Sequence, residues 1–167
     1  MMFELKTLSA DAVPRALEKA ERYRLLNEPS EAESICLDVL EIESGNQKAL
    51  VTLVLAITDQ FDTETASFAD AHHAIERMSD AYARAYYSGI VFERRAKAQL
   101  HHCTPGFGPR VYGWLRDAMV WYEKAEAIRP VGNDDAVLRW NAFARLLMRD
   151  PHLVPDVEER GEPLLLE

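Results

Sequence analysis

The fold of this chain is decided by residues 13–57, which read VPRALEKAERYRLLNEPSEAESICLDVLEIESGNQKALVTLVLAI. Apolar residues recur there every three or four positions, which is the spacing of one face of an α-helix. Turn-forming residues interrupt the pattern at 27–29 and at 44–46. We therefore predict three helices, with Ser30 as the cap of the second and Gly45 in the left-handed conformation that ends it.

The same periodicity continues through the rest of the chain, and no alternation of period two indicates a β-strand. The third helix, about 47–60, is apolar on nearly every side and should be flanked by several others. Two prolines and two glycines between 104 and 109 predict a loop, and the prolines after residue 149 predict an extended tail. The fold class is therefore all-α, with further helices predicted at about 63–79, 80–102, 111–128 and 134–149.

The composition indicates one ordinary intracellular domain. The chain has 167 residues, enough to bury a core without a metal or a disulfide. Its net charge of −9 argues against general binding to nucleic acid, which depends on Lys and Arg contacts to phosphates. Cys36 and Cys103 have no paired spacing, and no apolar run is long enough to span a membrane. The charged residues among the first thirty lead us to expect no signal peptide there. We expect a cytoplasmic protein whose partners include neither nucleic acid nor a membrane.

The charge is distributed unevenly along the chain. Residues 31–80 hold eleven acids and two bases, whereas residues 81–116 hold six bases and one acid. Such asymmetry favours a polar surface that orients a partner or a second copy of the chain. The alternative is that these side chains are solvated and form ordinary ion pairs along their helices. The candidate basic surface consists of Arg84, Arg94, Arg95, Lys97, Arg110 and Arg116.

A pattern of small and larger apolar residues repeats along the chain. Positions 16, 19, 20 and 23 recur 34 positions later, at 50, 53, 54 and 57. Small residues stand at comparable places in each helix pair, where they let two helix backbones approach closely: Ala20, Ala32, Gly89 and Ala118. This pattern resembles the tetratricopeptide repeat family over about residues 13–149. It departs from the family in a longer turn in the second helix pair and an insertion in the third.

The resemblance implies a short right-handed α-solenoid of helix-turn-helix repeats, capped by the last helix. Residues 1–149 would form this domain, and 150–167 an acidic, proline-containing C-terminal tail. A generic helical bundle is the alternative. Members of the family use the first helix of each pair to line a concave groove, which here implies Leu17, Glu21, Val51, Leu55, Tyr86 and Ile90. With so few repeats the superhelix barely curves. Val51, Leu55, Tyr86 and Ile90 are therefore equally well interpreted as core residues.

Proteins of this family bind peptides or other proteins in the groove and rarely perform chemistry. Members that bind a C-terminal carboxylate use Lys, Arg and Asn on this face. At the matching positions this chain has Leu17, Glu21, Thr52 and Tyr87. The resemblance therefore implies a protein–protein interaction module for an apolar or amphipathic segment of another protein. The alternative is a structural subunit that self-associates into a homo-oligomer through its end helices.

Residues that could carry chemistry are few, and we expect no enzyme, metal or cofactor. His72-His73 and His101-His102-Cys103 are adjacent in sequence, and adjacent helical residues point about 100° apart, which is unfavourable for chelating one ion. Gly106-Phe107-Gly108 follows a helix rather than a strand, so a phosphate-binding loop has the wrong context. A long loop at 103–110 is nevertheless often functional. Leu164–Leu166 in the tail either pack on the chain or a neighbour, or are disordered.

Overall fold

The computed structural model describes residues 3–62, 67–102 and 106–156. Within these ranges the chain forms helices and no strand, which confirms the all-α class. After a 3-10 turn at Ala10–Ala12 come α1 (Val13–Leu25), α2 (Pro29–Ile42), α3 (Gln47–Thr58), α4 (Phe68–Glu76), α5 (Ala81–His102), α6 (Phe107–Ala127) and α7 (Asp135–Arg149). The start predicted for the fourth helix, at residue 63, lies outside the described residues.

Two of the predicted helix ends are wrong in detail. Gly45, which is predicted to be left-handed after the second helix, has no positive φ, whereas Asn27 after α1 has a φ of 61°. Asparagine tolerates this conformation better than most residues that have a side chain. The second helix begins at Pro29, before the predicted cap Ser30, and no side chain caps its start. Proline fits there because the first helical N–H needs no partner.

The predicted loop before α6 is also wrong in part. α6 begins at Phe107, so Gly108 and Pro109 lie in its first turn, where a missing N–H costs little. Gly108 is needed there because a Cβ would collide with the carbonyl oxygen of His152. The preceding positions, 103–105, lie outside the described residues.

Helices that are consecutive in sequence pack against one another, and α3 also contacts both α1 and α5. Two clusters of buried residues fill the space between them. The first lies among α1 to α4 and includes Leu50 and Val54, and the second lies among α5, α6 and α7. α5 joins the two clusters, because Val91 belongs to the first whereas Ala85 and Ala96 belong to the second.

The small residues of the repeated pattern lie where helices meet. Ala20, Ala32 and Ala118 are fully buried. At Gly89 in α5, an added Cβ would lie 2.5 Å from Cε1 of Tyr122 in α6, closer than van der Waals contact permits. The structure thus confirms that Gly89 allows a close approach between two helices.

The packed part of the chain extends past the end of α7. Leu153 is buried and belongs to the second cluster. Residues 157–167, with the predicted contacts of Leu164–Leu166, lie outside the described residues, and the predicted boundary at residue 150 stays a prediction. In the ranges that are described, no helix is both long enough and apolar enough to cross a membrane.

Candidate functional site

The first part of the candidate site is a groove between α1 and α3. Glu21, Val51 and Leu55, three of the six residues predicted to line a binding groove, lie together here. Val51 and Leu55 are four residues apart and therefore share one face of α3. We call this cavity of about 550 Å³ the apolar groove; it is lined by Glu21, Arg24, Leu25, Gln47, Lys48, Val51, Thr52 and Leu55.

The other three predicted groove residues lie elsewhere. Leu17 is 5% exposed and Ile90 1% exposed, so both belong to the core. Tyr86 is half-buried, and its hydroxyl accepts a hydrogen bond from Nε of Arg139 at 2.9 Å. Its ring lies 5.8 Å from that of Tyr122, among the residues of the second cluster. For Ile90 the alternative interpretation as core is therefore correct, and Tyr86 does not lie beside Val51 and Leu55.

A second cavity of about 510 Å³ lies next to the apolar groove, since Arg24 lines both. We call it the charged groove after six of its charged side chains, which are Arg24, Asp59, Glu93, Arg94, Lys97 and Arg139. α1, α3, α5 and α7 supply these residues. Of these four helices, α3 contacts both α1 and α5.

Asp59 is shared by two arginines at the end of α3. Nε of Arg24 donates to Oδ2 of Asp59 at 2.8 Å, and Arg94 pairs with the other carboxylate oxygen. Burial lowers the pKa of Arg24. Burial, and then the neighbouring charges of Arg24 and Arg139, lower the pKa of Arg94. Arg94 thus lies close enough to Arg24 and Arg139 to be repelled by both, and its ion pair with Asp59 opposes this repulsion.

Glu93 is a buried carboxylate held by three donors. The hydroxyl of Tyr122 donates to Oε2 at 2.5 Å, Nζ of Lys97 lies 2.6 Å from Oε1, and Nη1 of Arg139 lies 2.7 Å from Oε1. Burial and then the Glu93 charge raise the pKa of Tyr122. Burial by itself lowers the pKa of Arg139, but Glu93 and the Tyr86 hydroxyl more than offset this and raise it. These hydrogen bonds fix the orientation of Glu93, Lys97 and Arg139, which line the charged groove.

Four residues of the charged groove were missed by sequence reasoning: Arg24, Asp59, Glu93 and Arg139. A usable signal was present for one of them. Asp59 continues the spacing of Val51 and Leu55 by one more turn of α3, so the groove stripe could have been extended to it. Glu93 gave no signal, because a lone acid among bases is typical of a solvated helix face.

The six residues of the candidate basic surface lie in four different surroundings. Arg94 and Lys97 line the charged groove. Arg84 donates to the carbonyl oxygen of Met78 at 2.6 Å, and Arg116 lies against the sulfur of Met119. The remaining two, Arg95 and Arg110, line a separate cleft.

The clustered histidines form no recognisable metal site in the part of the chain that is described. There, no group of three His, Cys, Asp or Glu side chains is placed to hold an ion. His72 lies against Phe68, with ring centroids 4.5 Å apart. His101 and His102 both approach Asp62, at 3.7 and 3.9 Å. Cys103 lies outside the described residues.

No protein-family model, curated protein or solved structure matches the chain. The resemblance to tetratricopeptide repeats therefore rests on the spacing of small and apolar residues within 13–149 alone.

Proposed function

We propose that this chain is a protein–protein interaction module that binds an apolar or amphipathic segment of another protein along its odd-numbered helices. The observation that carries the proposal is the apolar groove, which shares Arg24 with the neighbouring charged groove. The proposed architecture is a short tetratricopeptide-like α-solenoid. Its support is that each helix packs on its neighbour in sequence while α3 bridges α1 and α5.

The two grooves suit a segment with one apolar and one polar side. Leu25 is 88% exposed at the edge of the apolar groove, and Val51 and Leu55 are half-buried. Burying a leucine or valine side chain contributes about 1.5–3 kcal/mol, so a few anchors suffice for weak, specific binding. Polar side chains of the same segment would face Arg24 and the charged groove beyond it.

The proposal includes no catalytic role, because the ionisable side chains of the charged groove are largely paired with one another. A cytoplasmic location and the exclusion of nucleic acid stay predictions from composition.

Leu55→Asp tests the proposal most cleanly. Leu55 lines the groove, whereas Val51 also packs against the first cluster and Tyr86 accepts a hydrogen bond from Arg139. Affinity capture from the source cells should recover a protein that binds the wild-type chain and is lost with Leu55→Asp. A charge placed in an apolar contact must be desolvated without a partner, so we expect at least a tenfold loss of affinity.

Leu37→Asp is the matched control, because Leu37 is 50% exposed on α2 and does not line the groove. It should retain the captured protein, and circular dichroism should show equal helicity for both variants. If both variants capture the same proteins as the wild type, the groove is not the binding site.

Exposed apolar side chains on the end helices favour self-association as a second candidate function. On α7, Leu138 is 65% and Met148 79% exposed, and Leu26 after α1 is 61% exposed. Sedimentation velocity should then show a dimer or larger species that Leu26→Asp or Leu138→Asp dissociates and that Leu55→Asp leaves intact. A monomer at every concentration tested would eliminate this candidate.

A further inference from the structure

A cleft outside both grooves holds an arginine between two aromatic rings. Cζ of Arg95 lies 4.6 Å from the ring centroid of Phe68 and 4.4 Å from that of Trp114. The cleft has a volume of about 440 Å³ and also contains Arg110 from α6 and His102 from α5. We call it the arginine cleft.

In the part of the chain that is described, the two arginines of the cleft have no acidic partner. Among the described residues, neither Arg95 nor Arg110 forms an ion pair or donates a hydrogen bond, and no Asp or Glu lines the cleft. Asp62 approaches His102 at 3.9 Å, but it lines the charged groove instead. By contrast, Arg24 and Arg139 each pair with a carboxylate. The formally charged residues among those described as lining the cleft, Arg95 and Arg110, are therefore both basic.

The stacking prepares Arg95 to bind a planar or tetrahedral oxyanion. A guanidinium held between two rings is fixed in orientation, while its N–H groups lie in its own plane and stay available. Two N–H groups of a guanidinium can donate parallel hydrogen bonds to two oxygens of a carboxylate or phosphate. Because the side chain is already ordered, little further conformational entropy is lost on binding. Arg110 adds a second positive charge, which matches the nearly doubly charged phosphate monoester at neutral pH.

We propose that the arginine cleft binds a phosphate monoester through Arg95 and Arg110. The cleft is larger than a phosphate group, so room is left for the group to which the phosphate is attached, beside the rings of Phe61 and Trp114. The phosphate comes either from a small phosphorylated molecule or from a phosphorylated side chain of a partner, since both present the same chemistry. This inference is independent of the groove and holds whether or not a protein binds there.

Titration calorimetry and NMR of the full chain in a phosphate-free buffer test the inference. The probes are inorganic phosphate, phosphoserine and a phosphoserine peptide, with serine and the unphosphorylated peptide as controls. We expect saturable binding of the phosphorylated probes only, with shifts of the Arg95 and Arg110 side-chain N–H signals and of the Trp114 indole N–H. Binding that is equally strong for inorganic phosphate and the peptide assigns a small phosphorylated ligand, whereas tighter peptide binding assigns a modified partner.

Arg110→Gln carries the decisive comparison, because Arg110 is exposed and its loss should not affect folding. We expect it to weaken binding about tenfold or more, the scale of a charge-assisted hydrogen bond. Arg95→Gln should do the same, with its melting temperature measured in parallel. The matched control is Arg116→Gln, which removes one charge from the same helix outside the cleft and should change nothing. The inference is overturned if no probe binds, or if Arg116→Gln weakens binding as much as Arg110→Gln.

Discussion

At the scale of single residues, Glu93 and Tyr122 form a buried hydrogen bond at the second cluster. Both side chains are almost completely buried, and the hydroxyl of Tyr122 donates to the carboxylate at 2.5 Å. A buried carboxylate deprived of a donor keeps its desolvation cost without the compensating bond. The contact should therefore contribute more than an average hydrogen bond.

Tyr122→Phe should lower the free energy of unfolding by about 1.5–3 kcal/mol, the range for a hydrogen bond to a charged group. Urea denaturation followed by circular dichroism measures the change. Tyr112→Phe, a half-buried position on the same helix, is the control and should stay within about 0.5 kcal/mol of the wild type. A double-mutant cycle with Glu93→Gln should show coupling between the two sites. Additive effects would mean that the hydrogen bond does not stabilise the fold.

His72 makes the stability depend on pH. Burial lowers its pKa below the ordinary 6.5, although the Glu76 charge acts in the opposite direction. The unfolded chain then takes up a proton at a higher pH than the folded chain does. This contribution to stability is therefore complete above 6.5 and is lost as the pH falls toward the pKa of the folded state.

We expect His72→Gln to show a smaller loss of stability than the wild type between about pH 7 and 5.5, the range in which histidine titrates. Thermal unfolding at a series of pH values measures it. His73→Gln changes an exposed neighbour on the same helix and should keep the wild-type dependence. If both variants follow the wild-type curve, His72 is not the group responsible.

Which residues are buried could be predicted from spacing only up to a point. The resemblance to the repeat family implies a groove at Val51 and Leu55, which share one face of α3, and also at Leu17 and Ile90, which are core instead. Spacing gives the face of a helix, but how deeply that face is covered depends on the neighbouring helices. The Glu93 network joins residues far apart in sequence and left no local pattern.

At the scale of helices, the approach of α5 to α6 depends on Gly89. An alanine there should favour the helix by about 1 kcal/mol, but its Cβ would lie 2.5 Å from the ring of Tyr122. Tyr122 is fully buried and cannot move aside freely. Overpacking of a core costs about 1–3 kcal/mol and should outweigh the gain in helix propensity.

Gly89→Ala should therefore destabilise the protein by about 1–2 kcal/mol net in chemical denaturation. Gly113→Ala is the matched control on α6, since an added Cβ there meets nothing within 4 Å. It should stabilise the protein by about 0.5–1 kcal/mol. Equal effects of the same sign would show that the two helices can separate to accept a Cβ.

The existence and order of the helices could be predicted, because apolar periodicity persists over several turns in each. Their ends were harder to predict. Gly108 and Pro109 look like loop residues in isolation, yet a first helical turn accepts proline, and His152 leaves no space for a Cβ at position 108. That second contact comes from a segment more than forty residues away in sequence, so no local pattern reveals it.

At the scale of the whole molecule, the odd-numbered helices bring two kinds of surface side by side. The apolar groove lies between α1 and α3, and the charged groove continues across α5 to α7. Three of the six predicted groove residues line the apolar groove. Arg24, Asp59, Glu93 and Arg139 of the charged groove are not predicted, because four helices bring them together. The basic residues expected to form one surface divide between the charged groove, the arginine cleft and two separate positions.

The central claim is that a partner protein binds at the apolar groove, and site-specific photo-crosslinking in the source cells tests it most directly. A photoreactive phenylalanine derivative is placed at Leu55 in one variant and at Leu37 in the other. The account predicts crosslinks to a second protein from position 55, competed by excess unlabelled wild-type chain, and none from position 37. Equal crosslinking from both positions, or crosslinks from position 55 only to other copies of this chain, would contradict it.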